Sequence, residues 1–268
     1  MKDADCVSFL QWALPQIGLR WQGLRRVHRQ VCKRLKRRLG ALHLEDLADY
    51  RVLLERSSEE WKQLDALCRI SISRFYRDRG VFERLEGELL PRLQDQARAR
   101  GDSRLRIWSA GCASGEEPYT LALMWAFNAA LSSCGAEIVA TDSDPGLLAR
   151  ARRACYRSSS LRELPAAWRA AFEPRGDDWC LKAEHQAAVS FLEQDIREQT
   201  AEGPFDLVLC RNLVFTYFEQ PVQFTIARRM AQALVPGGLL VLGAHESLPG
   251  DVSGFEAESP WLYRRRSS

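Results

Sequence analysis

The chain has 268 residues, 46% apolar and 27% charged, enough for one large domain or for a small domain attached to a larger one. With 17 glycines and 11 prolines, this composition excludes a fibrous or disordered protein. No uninterrupted apolar run approaches the roughly 18–20 residues of a membrane span, so no membrane insertion is expected. The formal net charge is only +3, but much of the positive excess lies between Arg20 and Arg38. The eight cysteines stand singly with no C-x-x-C pair, and the four histidines show no H-x-x-x-H spacing. A metal site is therefore not expected. A chain of this length with no secretory signal reads as a cytoplasmic protein with reduced thiols.

The first hundred residues read as helical. From Leu24 the apolar residues Val27, Val31, Leu35 and Leu39 recur every three or four positions, which predicts a helix over 24–39 ending at Gly40. Its other faces carry Arg25, Arg26, Arg29, Lys33, Arg34, Lys36, Arg37 and Arg38. Such a row fits an acidic protein partner, a solvated face or nucleic acid. The third is the weakest, because no aromatic residues interleave with the run and no nucleic-acid motif accompanies it. Further helices are predicted around 44–54, 61–68 and 80–99. The polar stretch Ala97–Ser103 sets a boundary, giving a helical domain over 1–97 and a second domain over 98–268.

Beyond it, strands alternate with helices. Leu105–Ala110, Glu137–Thr141, Val189–Leu192, Phe205–Cys210 and Leu239–Gly243 read as strands, with helices over 118–131, from Pro145, and over 220–234. Asp144 is placed to cap the helix that opens at Pro145. The last of these helices is expected to stop at Pro236-Gly237-Gly238. This alternation implies an α/β fold with a mostly parallel sheet and ligands at the carboxyl ends of its strands. The stretch 158–188 breaks the alternation, is too long for a simple connection, and is expected to form a small inserted subdomain.

The segment Ala110-Gly111-Cys112-Ala113-Ser114-Gly115-Glu116-Glu117-Pro118 follows the first strand directly. Small residues there let the backbone approach a ligand closely. It is not a phosphate loop, since the Lys-Ser/Thr ending is missing and two carboxylates stand where an anion would be repelled. Asp142, about 25 residues further on at the end of the second strand, occupies a place where an acid commonly accepts hydrogen bonds from ribose hydroxyls. Together these features fit a nucleoside with a cationic tail, as in S-adenosylmethionine. The alternative is an ordinary glycine-rich turn with a solvated acid.

Four segments in order resemble the chemotaxis-receptor methyltransferase (CheR) family. They are Ser71-Ile72-Ser73-Arg74-Phe75-Tyr76-Arg77-Asp78, Ile107 through Tyr119, Phe205-Asp206 with Cys210-Arg211-Asn212, and Pro236-Gly237-Gly238. The resemblance covers nearly the whole chain. It implies a Rossmann-like class I methyltransferase sheet with an N-terminal helical domain and a small inserted β-subdomain. It implies S-adenosylmethionine as cofactor, S-adenosylhomocysteine as product, and glutamate side chains of a chemoreceptor-like protein as acceptors. Carried over by position, Glu117 would hold the methionine part of the cofactor and Asp142 the ribose. Asp195 and Ile196 would sit at the adenine edge, and Arg211 and Asn212 would line the pocket beside the sulfonium. Ser71, Ser73 and Arg77 would close over the cofactor. Arg77 and Tyr217 are the candidate catalytic residues, Arg77 attracting the acceptor and Tyr217 aligning it.

The resemblance also assigns the basic helix 24–39 to the acidic receptor, likens 158–188 to a β-subdomain that grips a tethering peptide in some members, and leaves a monomer as the default. Two departures stand out. Four residues, Leu213-Val214-Phe215-Thr216, separate Arg-Asn from Tyr217 where the family has three, and His245-Glu246-Ser247 replaces the family's Gly-His-Ser-Glu order. They motivate one alternative, the same scaffold methylating a small-molecule carboxylate or a different nucleophile; a non-catalytic cofactor-sensing scaffold that keeps the pocket is the second alternative.

Overall fold

The computed structural model describes residues 2–250 and 252–267. They form two compact units, one of residues 2–70 with 216–223 and one of residues 71–215 with 224–250 and 252–267. The break at Ile70/Ser71 differs from the boundary set at residue 97. Residues 71–97 belong with the second unit because Phe75, Phe82, Leu85, Leu89 and Leu93 are buried in that unit's core. Each such side chain contributes roughly 1.5–3 kcal/mol on burial.

The first unit contains α1 (Asp3–Ala13), α2 (Trp21–Leu24), α3 (His28–Ala41), α4 (Leu47–Arg56) and α5 (Ser58–Cys68). The helix expected over 24–39 is two pieces: Arg25–Val27 form a turn between α2 and α3, and Val27 takes a non-helical φ of −119°. The apolar stripe stays in phase across this turn, so periodicity does not reveal it. Nor does α3 stop at Gly40. It runs to Ala41, and the left-handed residue that follows is His43, at φ +56°. Of the basic residues, Arg34 donates to the Leu67 and Arg69 carbonyls and Arg38 pairs with buried Glu60 at 2.6 Å. Arg25, Arg26, Arg29, Lys33, Lys36 and Arg37 are exposed.

In the second unit, α6 (Arg79–Arg84) and α7 (Leu90–Arg100) are joined through a wider helical turn at Leu85–Leu89. Next come β1 (Arg104–Ala110), α8 (Glu116–Phe127), β2 (Gly135–Asp142) and α9 (Pro145–Arg153), the last capped as expected by Asp144, which accepts from the Gly146 and Leu147 amides. The insertion follows as β3 (Cys155–Arg157), β4 (Phe172–Arg175) and β5 (Asp178–Leu181), a three-stranded antiparallel sheet ordered β3-β5-β4. It starts at Cys155 rather than Ser158, because a three-residue strand is too short to show a period. The chain continues through β6 (Val189–Glu193), β7 (Phe205–Cys210), α10 (Val214–Tyr217), α11 (Gln220–Ala233), β8 (Leu234–Leu242), β9 (Phe255–Ser259) and β10 (Leu262–Arg265).

The main sheet has the order β6-β2-β1-β7-β8-β10-β9, parallel from β6 to β8 and antiparallel beyond. Two features differ from the sequence reading. β8 already begins at Leu234 and carries Pro236-Gly237-Gly238 within it, and β9 and β10 extend the sheet. Strand order reverses between β1 and β7, the switch point where such sheets bind ligands beyond their carboxyl ends. No described helix is long and apolar enough to cross a membrane.

Not all thiols are free. Cys6 is bonded to Cys32 within the first unit and Cys155 to Cys180 within the insertion, which leaves Cys68, Cys112, Cys134 and Cys210 as buried free thiols. The reading of eight reduced thiols rested on chain length and the lack of a secretory signal, neither of which registers which cysteines the fold brings together. Helix packing sets Cys6 beside Cys32, and antiparallel pairing sets Cys155 opposite Cys180.

Candidate active site

The turn after β1 is stitched to the end of β2. The Gly111 and Cys112 amides both donate to the Thr141 carbonyl, at 2.8 and 2.9 Å, and the Ala113 amide donates to Asp142 Oδ2 at 2.9 Å. Gly111 sits at φ +75°, and a Cβ there would lie 2.3 Å from the Leu213 side chain, so no larger residue fits without moving the wall. Asp142 also accepts the Asp144 amide through Oδ1 at 3.0 Å.

The two acids opening α8 point to different partners. Glu116 is buried and accepts from the hydroxyls of Ser114 and Ser160. Glu117 accepts from the Ser109 hydroxyl at 2.8 Å and from Arg211 Nη1 at 2.9 Å. Both sit at the positive end of the α8 dipole, where carboxylates are favoured.

Arg211 leaves the end of β7 and gathers the site. Its Nη2 donates to the Arg77 carbonyl at 2.5 Å and to Asp78 Oδ2 at 2.9 Å, and its guanidinium carbon lies 4.6 Å from the centre of the Phe82 ring. Its Nε is buried with no hydrogen-bond partner among the described residues. Asn212 adopts φ +55°. Its amide donates to Glu246 Oε2 at 2.6 Å, and the same oxygen takes the Gly243 amide at 2.8 Å. Tyr76 at φ +58° and Asp78 at φ +63° add two more left-handed residues to the same neighbourhood, a concentration of backbone strain characteristic of functional sites.

The other sequence candidates are placed as follows. Arg77 donates through Nη1 to the Ile72 carbonyl at 2.7 Å. Ser71 and Ser73 line a cavity of about 550 Å³ together with Arg74 and Glu116. Asp195 holds the Arg197 side chain, at 2.6 Å to Nη2, and Ile196 is buried beside it. The Gln194 amide donates to the Asp142 carbonyl at 3.0 Å, which ties the end of β6 to that of β2. Tyr217 groups with the first unit, where its carbonyl accepts the Arg20 amide at 2.8 Å. His245 is exposed.

Asp78, Phe82 and Glu246 were not singled out from the sequence as site residues. Asp78 closes the Ser71–Asp78 segment, and Glu246 lies in the His-Glu-Ser triplet, so the available signal was position in a motif rather than chemistry. Burial, with Asp142 and Glu117 nearby, pushes the Cys112 thiol well up, and burial does the same to Cys210. Neither thiol is set up as a nucleophile.

The family described as CheR methyltransferase, SAM binding domain, matches residues 71–261. This chain belongs to the CheR methyltransferase family. Curated relatives agree. A chemotaxis protein methyltransferase of Salmonella typhimurium is 31% identical over 87% of this chain and 81% of its own length. One of Escherichia coli is 33% identical over 81% and 76%, and one of Listeria innocua is 35% identical over 68% of each chain.

This CheR family member is accordingly an S-adenosylmethionine-dependent methyltransferase. The residues fit that cofactor: a small-residue turn, a carboxylate at the carboxyl edge of β2, the paired Glu117, and the unpartnered buried Nε of Arg211 surround the switch point.

Proposed function

We propose that this enzyme methylates glutamate side-chain carboxylates of a chemoreceptor-like protein, forming methyl esters and releasing S-adenosylhomocysteine. The observation that carries the reading is the match to chemotaxis protein methyltransferases over 81–87% of the chain. The meeting of the Arg77-Asp78 segment, Glu117 and Arg211 at the switch point supports it.

Bound S-adenosylmethionine supplies an electrophilic methyl group on a sulfonium. A glutamate acceptor is already ionised near neutral pH, so no side chain has to remove a proton, and orientation dominates the rate. In this reading Glu117 holds the methionine end, Asp142 the ribose, and Asp195 and Ile196 the adenine edge. Arg211 and Asn212 form the wall beside the reacting centre, and Ser71 and Ser73 cover it. Arg77 commits one donor to the Ile72 carbonyl. Its remaining donors can meet the incoming carboxylate, and its charge is permanent. Tyr217 aligns the acceptor.

The exposed cations of α3 suit an acidic receptor surface. Charge complementarity of that kind raises encounter rate and fixes register more than it adds affinity.

The test is incubation with methyl-tritiated S-adenosylmethionine and receptor-bearing bacterial membranes. The expected result is labelled membrane protein whose label mild alkali releases as volatile methanol. Label that resists base, or that appears only on free small acids, would overturn the assignment of the acceptor.

A further inference from the structure

Beside the Ser71–Asp78 segment lies the cavity of about 550 Å³, a size common for ligand pockets. Its walls come from four parts of the second unit: the 71–74 segment, the turn into α8 at Ser114 and Glu116, the end of α9, and the inserted sheet with the turn after β3. They carry five arginines, Arg74, Arg150, Arg153, Arg157 and Arg162, against the two carboxylates of Glu116 and Asp178.

The arginines are not alike. Arg74 pairs with Glu163 at 2.9 Å, and Arg157 pairs with Asp177 at 3.2 Å and Asp178 at 3.1 Å. Arg150, Arg153 and Arg162 are exposed and have no carboxylate partner among the described residues. Arg150 and Arg153 are one turn apart on α9, so they present their charge from the same face. The cavity wall is held firmly. The Cys155–Cys180 bond and the Arg157–Asp178 register fix β3 against β5, the Tyr156 hydroxyl donates to the Ser114 carbonyl at 2.8 Å, and the Phe75 amide donates to the Ser160 carbonyl at 3.1 Å.

We propose that this arginine-lined cleft binds a short acidic peptide segment, a run of glutamate or aspartate side chains on the protein substrate. The proposal rests on the reading of an acidic protein acceptor given above. Guanidinium groups pair carboxylates in a planar, two-bond geometry. The lining is mixed in a way that suits a peptide: the arginines meet its carboxylates, while Ser159, Ser160 and Asp178 offer acceptors for its backbone amides. A compact polyphosphate fits less well, because the cations come from separated elements: the 71–74 segment, α9 and the inserted subdomain. A nucleotide base finds no stacking surface, since Tyr156, the aromatic residue in the lining, is buried with its hydroxyl engaged. The contact is through side chains in a cleft, distinct from adding a strand to the edge of the inserted sheet.

The test uses the full chain, a fluorescent peptide of six consecutive glutamates, and a matched peptide of six glutamines, read by anisotropy at low salt. Three forms are compared: the native chain, a cleft variant with Arg150→Ala, Arg153→Ala and Arg162→Ala, and a variant with Arg29→Ala, Lys33→Ala and Lys36→Ala that removes the same charge from α3. The glutamate peptide should bind the native chain and the α3 variant within about threefold of each other. It should bind the cleft variant at least about tenfold more weakly, the scale expected for three lost exposed ion pairs. Cofactor affinity should be unchanged in the cleft variant, which also shows that it is folded. Equal losses in the two variants would mean unspecific charge attraction and overturn the proposal, as would equal binding of the glutamine peptide. Displacement of the glutamate peptide by pyrophosphate at a lower concentration than by unlabelled peptide would also overturn it, in favour of a phosphate site. If methylation of receptor membranes fails while the glutamate peptide still depends on the cleft, the acceptor assignment falls and the cleft stands.

Discussion

A guanidinium with 3% of its side chain exposed, set between two carboxylates, is stable only while its partners stay in place. Arg211 holds the Arg77-Asp78 segment and Glu117 through charge-assisted bonds, and it presses on Phe82. Lysine keeps the charge and loses the fork, so Arg211→Lys should weaken cofactor binding at least about tenfold in a calorimetric titration. Arg211→Ala leaves Glu117 and Asp78 without their cation and should lower stability by about 3 kcal/mol. Arg77, whose side chain bonds to a single carbonyl, should behave differently: Arg77→Ala should reduce turnover far more than cofactor affinity. Equal loss of affinity in Arg77→Ala and Arg211→Lys would remove the distinction between a group that faces the acceptor and one that holds the pocket together. The sequence brought both arginines to notice through motifs, but it could not say that Arg211 turns inward. That depends on which carboxylates the end of β7 meets.

In α3 the apolar stripe specified burial correctly at Val31, Leu35 and Leu39. The basic row, however, is two populations. Arg34 and Arg38 are internal ties, and the six exposed cations between Arg25 and Arg37 are the surface. The Arg38–Glu60 pair is completed by the Tyr50 hydroxyl, 2.6 Å from Glu60 Oε1. The hydrogen bond from Arg38 holds the Glu60 carboxyl below its ordinary 4.5 despite burial. A carboxyl lowered in the folded state stabilises fully above its unfolded value, and the contribution is lost as pH falls through the folded value. Stability should therefore decline with acidification below about pH 4.5. Arg38→Ala should cost about 2 kcal/mol at neutral pH, a figure reduced for the partial exposure of Arg38, and should make that acid decline shallower. Chemical denaturation at a series of pH values reads both effects, and parallel acid limbs in the two proteins would count against the network.

At the scale of the whole molecule, the two disulfides close loops with sequence separations of 26 and 25 residues, each long enough to contribute roughly 3 kcal/mol by restricting the unfolded chain. Thiol titration of the denatured chain should therefore find four free thiols before reduction and eight after. Eight from the outset would show that the pairs do not form. Thermal melting with reductant should fall below melting without it.

The alternation of strands and helices, the cap at Asp144, the small-residue turn after β1 and the acid at the end of β2 are local signals. They rest on period, turn chemistry and composition, and a sequence displays these directly. With the motif order, they were sufficient to indicate the family and its cofactor. The antiparallel strands β9 and β10, the start of the insertion at Cys155, the pairing of Cys6 with Cys32, and the meeting of Arg211 with Glu117 and Asp78 were decided only in three dimensions. Each joins residues through sheet register or side-chain packing, and sequence spacing carries no measure of either. The gathering of five arginines from three parts of the second unit around one cavity has the same origin: in the chain they lie singly among other charges, and only the folded insertion brings them together.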